Sequence, residues 1–94
     1  MAYVLVRISV EDVATWMPVF EQAAAIRKNS GSKGVQALAN VDSPNEVLIF
    51  GEYEDVEKAR QMFQSQELRD AMQRAGVKGP PQLTFMNEIL RLPA

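Results

Sequence analysis

Residues 3–10, which read YVLVRISV, restrict the fold of this chain more than any other segment. Successive side chains of a β-strand point to opposite faces, so every second residue shares a face. One face of this segment is wholly apolar and consists of Val4, Val6, Ile8 and Val10. The other face starts with Tyr3 and Leu5 but then carries the guanidinium of Arg7. A strand with apolar side chains on both faces is covered on both faces, so this strand needs two covering layers.

Hydrophobic periodicity divides the remaining sequence into two helical regions and three more strands. The strands are predicted at residues 2–10, 34–40, 46–53 and 82–90, with a turn at residues 42–45. The first regular helix is predicted to begin near Trp16, because Pro18 lacks an amide proton and is tolerated in a first turn. The second helical region follows a cap at Asp55 and breaks at Ser65, which predicts a kink or two short helices.

The resulting order, β-α-β-β-α-β, predicts an α+β fold of the ferredoxin-like type. In this arrangement a four-stranded antiparallel sheet carries both helices on one face. A single domain spanning residues 1–94 accounts for a chain of this length. Gly51 interrupts the third strand, which predicts either a bulge or a close approach by another group.

The second face of this sheet has no cover within the chain. Predicted strands three and four carry apolar side chains on both faces, as with Leu48 and Phe50 on one face and Val47 and Ile49 on the other. We therefore expect a homodimer in which two sheets pack face to face about a two-fold axis. The alternative is an open face, since scattered apolar side chains on a surface are common.

Composition excludes several classes of function. Ten basic and twelve acidic residues give a net charge of −2, so there is no basic excess for nucleic acid and no basic amphipathic helix for a membrane surface. The N-terminal apolar run is short and broken by Arg7, unlike a signal peptide or a membrane span, and a cytoplasmic location is expected. The sequence has no cysteine and no histidine, which removes thiol chemistry, the commonest general base and the usual zinc and haem ligands.

Three motifs carry a resemblance to a known family. They are V-E-D-V-x-x-W-x-P-V-F at residues 10–20, F-x-S-x-E-L-x-x-A-M at residues 63–72, and A-G-V-K-G-P-P at residues 75–81. With the predicted element order, the chain resembles the dimeric α/β-barrel superfamily, and within it the antibiotic biosynthesis monooxygenase-like domains. The resemblance covers essentially the whole chain.

This resemblance implies a homodimer whose sheets form a barrel, with a small-molecule cleft between sheet and helices in each subunit. It implies a monooxygenase or cyclase that needs no metal or other cofactor and acts on an aromatic or polyketide-like substrate. The haem-degrading branch uses an axial histidine, so that activity is rejected. The alternative function is a non-catalytic homodimer that binds a small apolar ligand or serves as a structural module.

Three polar residues are the candidate catalytic groups. Glu52 is the candidate base, because an apolar strand would raise the pKa of its carboxyl; its alternative is a solvated strand-end carboxylate or a partner of Arg7. Arg7 would stabilise an anionic oxygen, or else form an ion pair with Glu52 or Glu88 on a neighbouring strand. Asn87 would orient a substrate oxygen, or is an ordinary satisfied polar group on its strand.

Aromatic and methionine side chains are the candidate ligand-binding groups. Trp16 would line the cleft with the flat face of its ring, or else it packs on the sheet as an anchor of the first helix. The others, which fit plain core positions equally well, are Phe20, Phe50, Phe63, Met72 and Met86. Tyr3 and Tyr53 lie near predicted strand ends, where a surface-packing role is expected.

Overall fold

A computed structural model describes residues 2–94 and contains four strands and four helices. The elements, in chain order, are β1 (Ala2–Val10), α1 (Val13–Gln22), α2 (Ala24–Asn29), β2 (Ser32–Asn40), β3 (Ser43–Tyr53), α3 (Val56–Gln64), α4 (Gln66–Arg74) and β4 (Val77–Met86). The strands form one antiparallel sheet in the order β2-β3-β1-β4. The predicted ferredoxin-like arrangement is therefore confirmed, with each predicted helical region divided into two.

The inner face of the sheet, which meets the helices, holds the core. In the register of β1 and β3, Val6 lies opposite Ile49 and Ile8 lies opposite Val47. The buried cluster joins the valines and Ile8 of this set to Trp16 and to residues of the second helical region, and Ile49 is partly buried and packs against it. The wholly apolar face of residues 3–10 is thus the face that the helices cover, as its composition requires.

The outer face of the sheet keeps the apolar character that the sequence indicated. Leu5 lies opposite Phe50 in the β1–β3 register, and Leu38 lies opposite Leu48 in the β2–β3 register. The Tyr3 and Phe50 rings stack with centroids 5.4 Å apart. Leu38 is 50% exposed and Phe50 is 39% exposed. The helices of the same chain leave this face open to solvent.

Helix α1 begins one turn earlier than predicted. Asp12 is its cap, accepting hydrogen bonds from the Ala14 amide at 3.4 Å and the Thr15 hydroxyl at 2.9 Å. Pro18 therefore lies inside the helix rather than in its first turn. Both Pro18 and Ala14 are exposed, so water can reach the Ala14 carbonyl that the proline leaves without a partner.

The second helical region breaks where the sequence predicted. The Ser65 hydroxyl accepts a hydrogen bond from the Leu68 amide at 3.2 Å and donates one to the Met62 carbonyl at 2.7 Å. One side chain thus ends α3 and caps α4. Within residues 2–94, none of the helices combines the length and the apolar character needed to cross a bilayer.

Strand boundaries differ from the predictions at the hairpin and at the last strand. β2 and β3 continue to a pair between Asn40 and Ser43, so the turn is shorter than residues 42–45. β4 begins at Val77 instead of residue 82, and it ends at Met86 instead of residue 90. It is an edge strand, where prolines such as those at residues 80–81 are tolerated, and the register with β1 shifts between Arg7 and Ser9.

Candidate functional site

A cavity of about 70 Å³ lies between the helices and the inner face of the sheet, and we term it the inner cavity. Its lining comes from β1, β2 and β3 and from all four helices. Apolar side chains dominate it, and the polar side chains among them belong to Trp16, Arg27 and Tyr53. Within residues 2–94, no carboxylate lines this cavity and no three acidic side chains come together to hold a metal ion.

One wall of the inner cavity is a three-layer stack. The Trp16 and Phe20 rings, one helical turn apart on α1, are nearly parallel with centroids 4.7 Å apart. The guanidinium carbon of Arg27 lies 4.0 Å from the centroid of the Phe20 ring, within the range of a cation–π contact. The same guanidinium donates a hydrogen bond from Nη1 to the Phe20 carbonyl at 2.8 Å. The break at Ala23 between α1 and α2 allows Arg27 to reach back to Phe20.

Tyr53 forms part of the sheet side of the inner cavity, and Gly51 makes room for it. Tyr53 is only 2% exposed, so its expected surface role was wrong. A Cβ atom added at Gly51 would lie 2.9 Å from Cε2 of the Tyr53 ring, closer than real Cβ contacts allow. The register of β3 with both neighbours is regular at Gly51. Of the two predicted explanations for this glycine, the close approach is therefore confirmed.

Burial shifts the pKa of both ionisable groups in the inner cavity. It raises the pKa of the Tyr53 phenol above its usual value, while the nearby Arg27 charge acts in the opposite direction. Burial also lowers the pKa of Arg27, although a guanidinium stays protonated in proteins. At neutral pH the cavity therefore contains a neutral phenol and a cation.

Gly51→Ala should destabilise the protein by about 1–3 kcal/mol, because the new methyl group overlaps the Tyr53 ring and a packed core adapts poorly to added volume. Urea unfolding followed by circular dichroism measures the change. In a Tyr53→Leu background the same substitution should cost clearly less, since the obstructing ring edge is gone. An equal cost in both backgrounds would contradict the assigned contact.

A second space of about 280 Å³ lies beyond the stacked pair, and we term it the outer cavity. It is lined by Met17 of α1 and by residues of the β2–β3 hairpin such as Ala37 and Leu38. Trp16 and Phe20 line both spaces. The stacked pair is therefore the partition between the inner and outer cavities.

The structure places four of the predicted ligand-binding residues around the inner cavity. They are Trp16, Phe20, Phe63 and Met72. The other two lie elsewhere, because Phe50 stacks on Tyr3 at the outer face and Met86 pairs with Tyr3 on the same face. The period of two along β3 and β4 explains this separation, since neighbouring residues such as Ile49 and Phe50 point to opposite faces.

The three predicted catalytic residues lie outside the inner cavity. Glu52 pairs with Tyr3 in the register and shares its outer face, because Gly51 and Tyr53 on either side face inward. Asn87 follows the end of β4 and is exposed. Arg7 forms an ion pair with Glu46 at 3.4 Å. The structure thus does not bring these three residues together at the helix–sheet cavity.

The partner of Arg7 is a correction to the sequence analysis. The predicted partners were Glu52 and Glu88, but the register places Ser9 opposite Glu46, so Arg7 and Glu46 are diagonal neighbours on the outer face. Glu88 instead pairs with Arg91 at 2.6 Å. Alternation along a strand identifies faces but not register, and the identity of the acid depended on the register.

Sequence reasoning missed Arg27 and Tyr53 as residues of the cavity. A signal for Arg27 was present, since it continues the helical spacing of Trp16, Phe20 and Ala23. A cation that continues an apolar stripe is either solvated at its tip or held by a buried partner. For Tyr53 the signal was Gly51 two residues earlier, on the same face of the strand.

Comparison with known proteins supports the same fold. No protein-family model and no curated protein matches the chain. Among solved structures, SnoaB, a cofactor-independent oxygenase from Streptomyces nogalater, is 16% identical with a TM-score of 0.79, over 99% of this chain and 97% of that one. A predicted antibiotic biosynthesis monooxygenase from Bordetella bronchiseptica is 18% identical with a TM-score of 0.81, over 95% and 97% of the two chains.

A third similar structure contains a ligand. The monooxygenase from the ActVA-Orf6 gene of Streptomyces coelicolor, in complex with nanaomycin D, is 27% identical with a TM-score of 0.69. The alignment covers 99% of this chain and 92% of that one. The likeness spans whole chains in all three cases. This chain therefore has the antibiotic biosynthesis monooxygenase-like fold of the dimeric α/β-barrel superfamily, as its sequence motifs predicted.

Proposed function

We propose that this protein binds a small aromatic molecule in the inner cavity and oxygenates it without a cofactor. The observation that carries the proposal is the cavity itself, an apolar space walled by the Trp16–Phe20 stack. Such a space suits a flat ring system, and a few polar groups in it orient the ligand. The activities of SnoaB and the ActVA-Orf6 protein, which share the fold, support the assignment.

The wall between the two cavities has to move when a ligand enters. The inner cavity of about 70 Å³ is smaller than a cavity of about 150 Å³ that binds benzene. The outer cavity of about 280 Å³ lies directly behind the stacked pair. Displacement of Phe20 would join the two spaces and admit a ligand with two or three fused rings.

The proposed reaction needs no metal or flavin. A phenolic substrate loses its proton to water, and its electron-rich ring reacts with dioxygen. One oxygen atom converts a ring methylene to a carbonyl group, and the other leaves as water with the two methylene hydrogens. The protein would exclude bulk water and donate hydrogen bonds to the developing phenolate, which stabilises the charge that forms. The neutral phenol of Tyr53 and the indole N–H of Trp16 are suitable donors in the lining.

Screening with hydroxyquinones and anthrones tests the proposal. A binder should raise the melting temperature, since a ligand at about 100 times its Kd adds about 2.7 kcal/mol of stability. It should also quench the fluorescence of Trp16, the single tryptophan of the chain. Oxygen uptake with each binder then measures turnover. If no member of the panel binds, the proposed function is wrong.

A non-catalytic ligand-binding protein is the second candidate. The observation in its favour is that no carboxylate lines the inner cavity among residues 2–94, so a general base could come only from Glu21 in the outer cavity. Ligand binding without oxygen uptake or ring closure, for every binder in the panel, would select this function over catalysis.

We also propose that the protein is a homodimer joined through the outer faces of two sheets. Support comes from the apolar outer face, where Leu5, Leu38, Leu48 and Phe50 lie together across three strands. Arg7 on this face already has Glu46 as a partner, so sheet packing would not bury an isolated charge. Glu52 shares this face, and its predicted catalytic role would place that chemistry near the seam.

A further inference from the structure

We infer that the inner cavity selects ligands that carry a negatively charged oxygen, and that Arg27 recognises this charge. The inference rests on the proposed binding of an aromatic ligand in that cavity. It adds the chemical class of the ligand, an ionised phenol, enol or carboxylate on an aromatic ring. It also assigns a specificity-determining residue that is separate from Arg7, Glu52 and Asn87.

The guanidinium of Arg27 is held in one place but is not saturated. Nη1 donates to the Phe20 carbonyl at 2.8 Å, and Cζ lies 4.0 Å from the centre of the Phe20 ring. A guanidinium has five N–H donors, and the bond to Phe20 uses one of them. The bond to a backbone carbonyl does not depend on the position of the Phe20 ring, so the remaining donors stay at the cavity for a ligand oxygen when that ring moves.

Arg27 has no acidic partner among residues 2–94. The ion pairs in that range join Arg7, Lys33, Arg60 and Arg91 to glutamates. Arg27 is also the charged side chain in the lining of the inner cavity. Arg27 is half-buried, so solvent screens its charge only in part, and an anionic ligand oxygen would supply a counter-charge.

The neighbours of Arg27 favour an anion over a neutral ligand. Tyr53 is the titratable group that acts on Arg27, and its raised pKa keeps it neutral at physiological pH. It therefore adds a hydrogen-bond donor and does not compete as a counter-ion. Apolar surroundings strengthen the attraction between a cation and an anion relative to water. A ligand whose ring enters the cavity would thus gain most from an ionised oxygen near Arg27.

A purely structural role is the competing explanation. Arg27 satisfies a carbonyl near the end of α1 and covers the Phe20 ring, and both contacts would exist without any ligand. In that case Arg27 would support the cavity equally for neutral and anionic ligands. The two explanations therefore differ in how affinity depends on ligand charge.

A matched pair of ligands decides between them. The probes are 2-hydroxy-1,4-naphthoquinone, which is ionised at neutral pH, and its uncharged methyl ether, and Trp16 fluorescence reports the Kd of each. We expect the wild type to bind the anion at least about ten-fold more tightly, the effect of one charge-assisted hydrogen bond. Arg27→Met should remove this preference while changing the Kd of the methyl ether less than about two-fold. Arg27→Lys should retain part of it, because the charge remains.

Each other outcome has a definite meaning. Equal wild-type affinity for the two probes would overturn the inference and leave the proposed function standing. An equal loss of affinity for both probes in Arg27→Met would assign Arg27 a structural role, which also overturns the inference. Failure of every aromatic ligand to bind the wild type would overturn both proposals. If Arg27→Met does not fold, the wild type and Arg27→Lys still decide the question with the same two probes.

Discussion

Phe50→Asp is expected to convert the proposed dimer into a monomer and to lower its stability by several kcal/mol. Phe50 lies opposite Leu5 and Gln36 on the outer face of the sheet and stacks on Tyr3. In a face-to-face dimer an aspartate here would be buried between the uncharged side chains of Leu5 and Gln36, and an uncompensated buried charge costs about 3–5 kcal/mol. Glu52, on the same face, adds a second negative charge nearby.

Leu48→Asp is a weaker test of the same surface. Leu48 lies opposite Arg7 in the β1–β3 register, so a new carboxylate there would have a guanidinium within reach. We therefore expect a smaller shift toward monomer for Leu48→Asp than for Phe50→Asp. The difference between the two variants measures how much of the effect comes from unpaired charge.

Sedimentation velocity at micromolar concentration measures the assembly state. Val41→Asp is the matched control, because Val41 lies in the β2–β3 turn and is 91% exposed, so the same kind of substitution there should leave the dimer intact. A stable, folded wild-type monomer would refute the proposed assembly. A dimer that persists in Phe50→Asp would show that the outer face around Phe50 is not the interface.

Alternation and spacing were sufficient to predict the architecture. The two faces of residues 3–10 anticipated both the helix-covered core around Val6 and the apolar outer face around Leu5. Serine is a favoured helix-capping residue, and Ser65 interrupts the apolar stripe of the second helical region. Its hydroxyl caps α4 and so divides α3 from α4. These features follow from local chemistry, which a sequence displays directly.

Features that depend on competition between local rules were predicted less well. Pro18 favours a late start of α1, whereas Asp12 as a cap favours an early one. The helix starts after Asp12, because Pro18 lies on its exposed side and is tolerated there. The prolines at residues 80–81 argue against a strand, but β4 is an edge strand and admits them. In both cases solvent exposure decided the outcome, and exposure depends on the tertiary fold.

The composition of the cavity was the least predictable feature. Glu52 was predicted to be a base because its neighbours in the sequence are apolar. Those neighbours face inward, however, and the alternation of the strand places Glu52 on the outer face, opposite Tyr3. Arg27 continues the helical spacing of Phe20, but its contacts with the Phe20 carbonyl and ring form across the break at Ala23 between α1 and α2. A site formed between distant elements depends on such turns and registers, which no single segment encodes.

Trp16→Ala is expected to lower the free energy of unfolding by about 3–5 kcal/mol, the usual cost of removing a buried aromatic side chain. Trp16 is 4% exposed and stacks on Phe20 with centroids 4.7 Å apart. For a chain of this size each kcal/mol corresponds to roughly 4–8 °C in melting temperature. Trp16→Phe should cost much less, because it keeps a ring in the partition. Thermal unfolding by far-UV circular dichroism compares the variants without relying on tryptophan fluorescence.

The same variant tests whether Trp16 separates the inner and outer cavities. Removal of the indole should join the two spaces into one cavity that is apolar apart from Arg27, Tyr53 and Glu21, and apolar cavities bind small aromatic molecules. Free indole should therefore raise the melting temperature of Trp16→Ala in a concentration-dependent manner and raise that of the wild type much less. Val41→Ala, at a 91% exposed position that lines neither cavity, is the control and should change stability little and show no rescue. A Trp16→Ala protein that is as stable as Val41→Ala, or that indole does not stabilise, would show that the stacked pair is not the partition, since removal of a partition leaves a space that indole can fill.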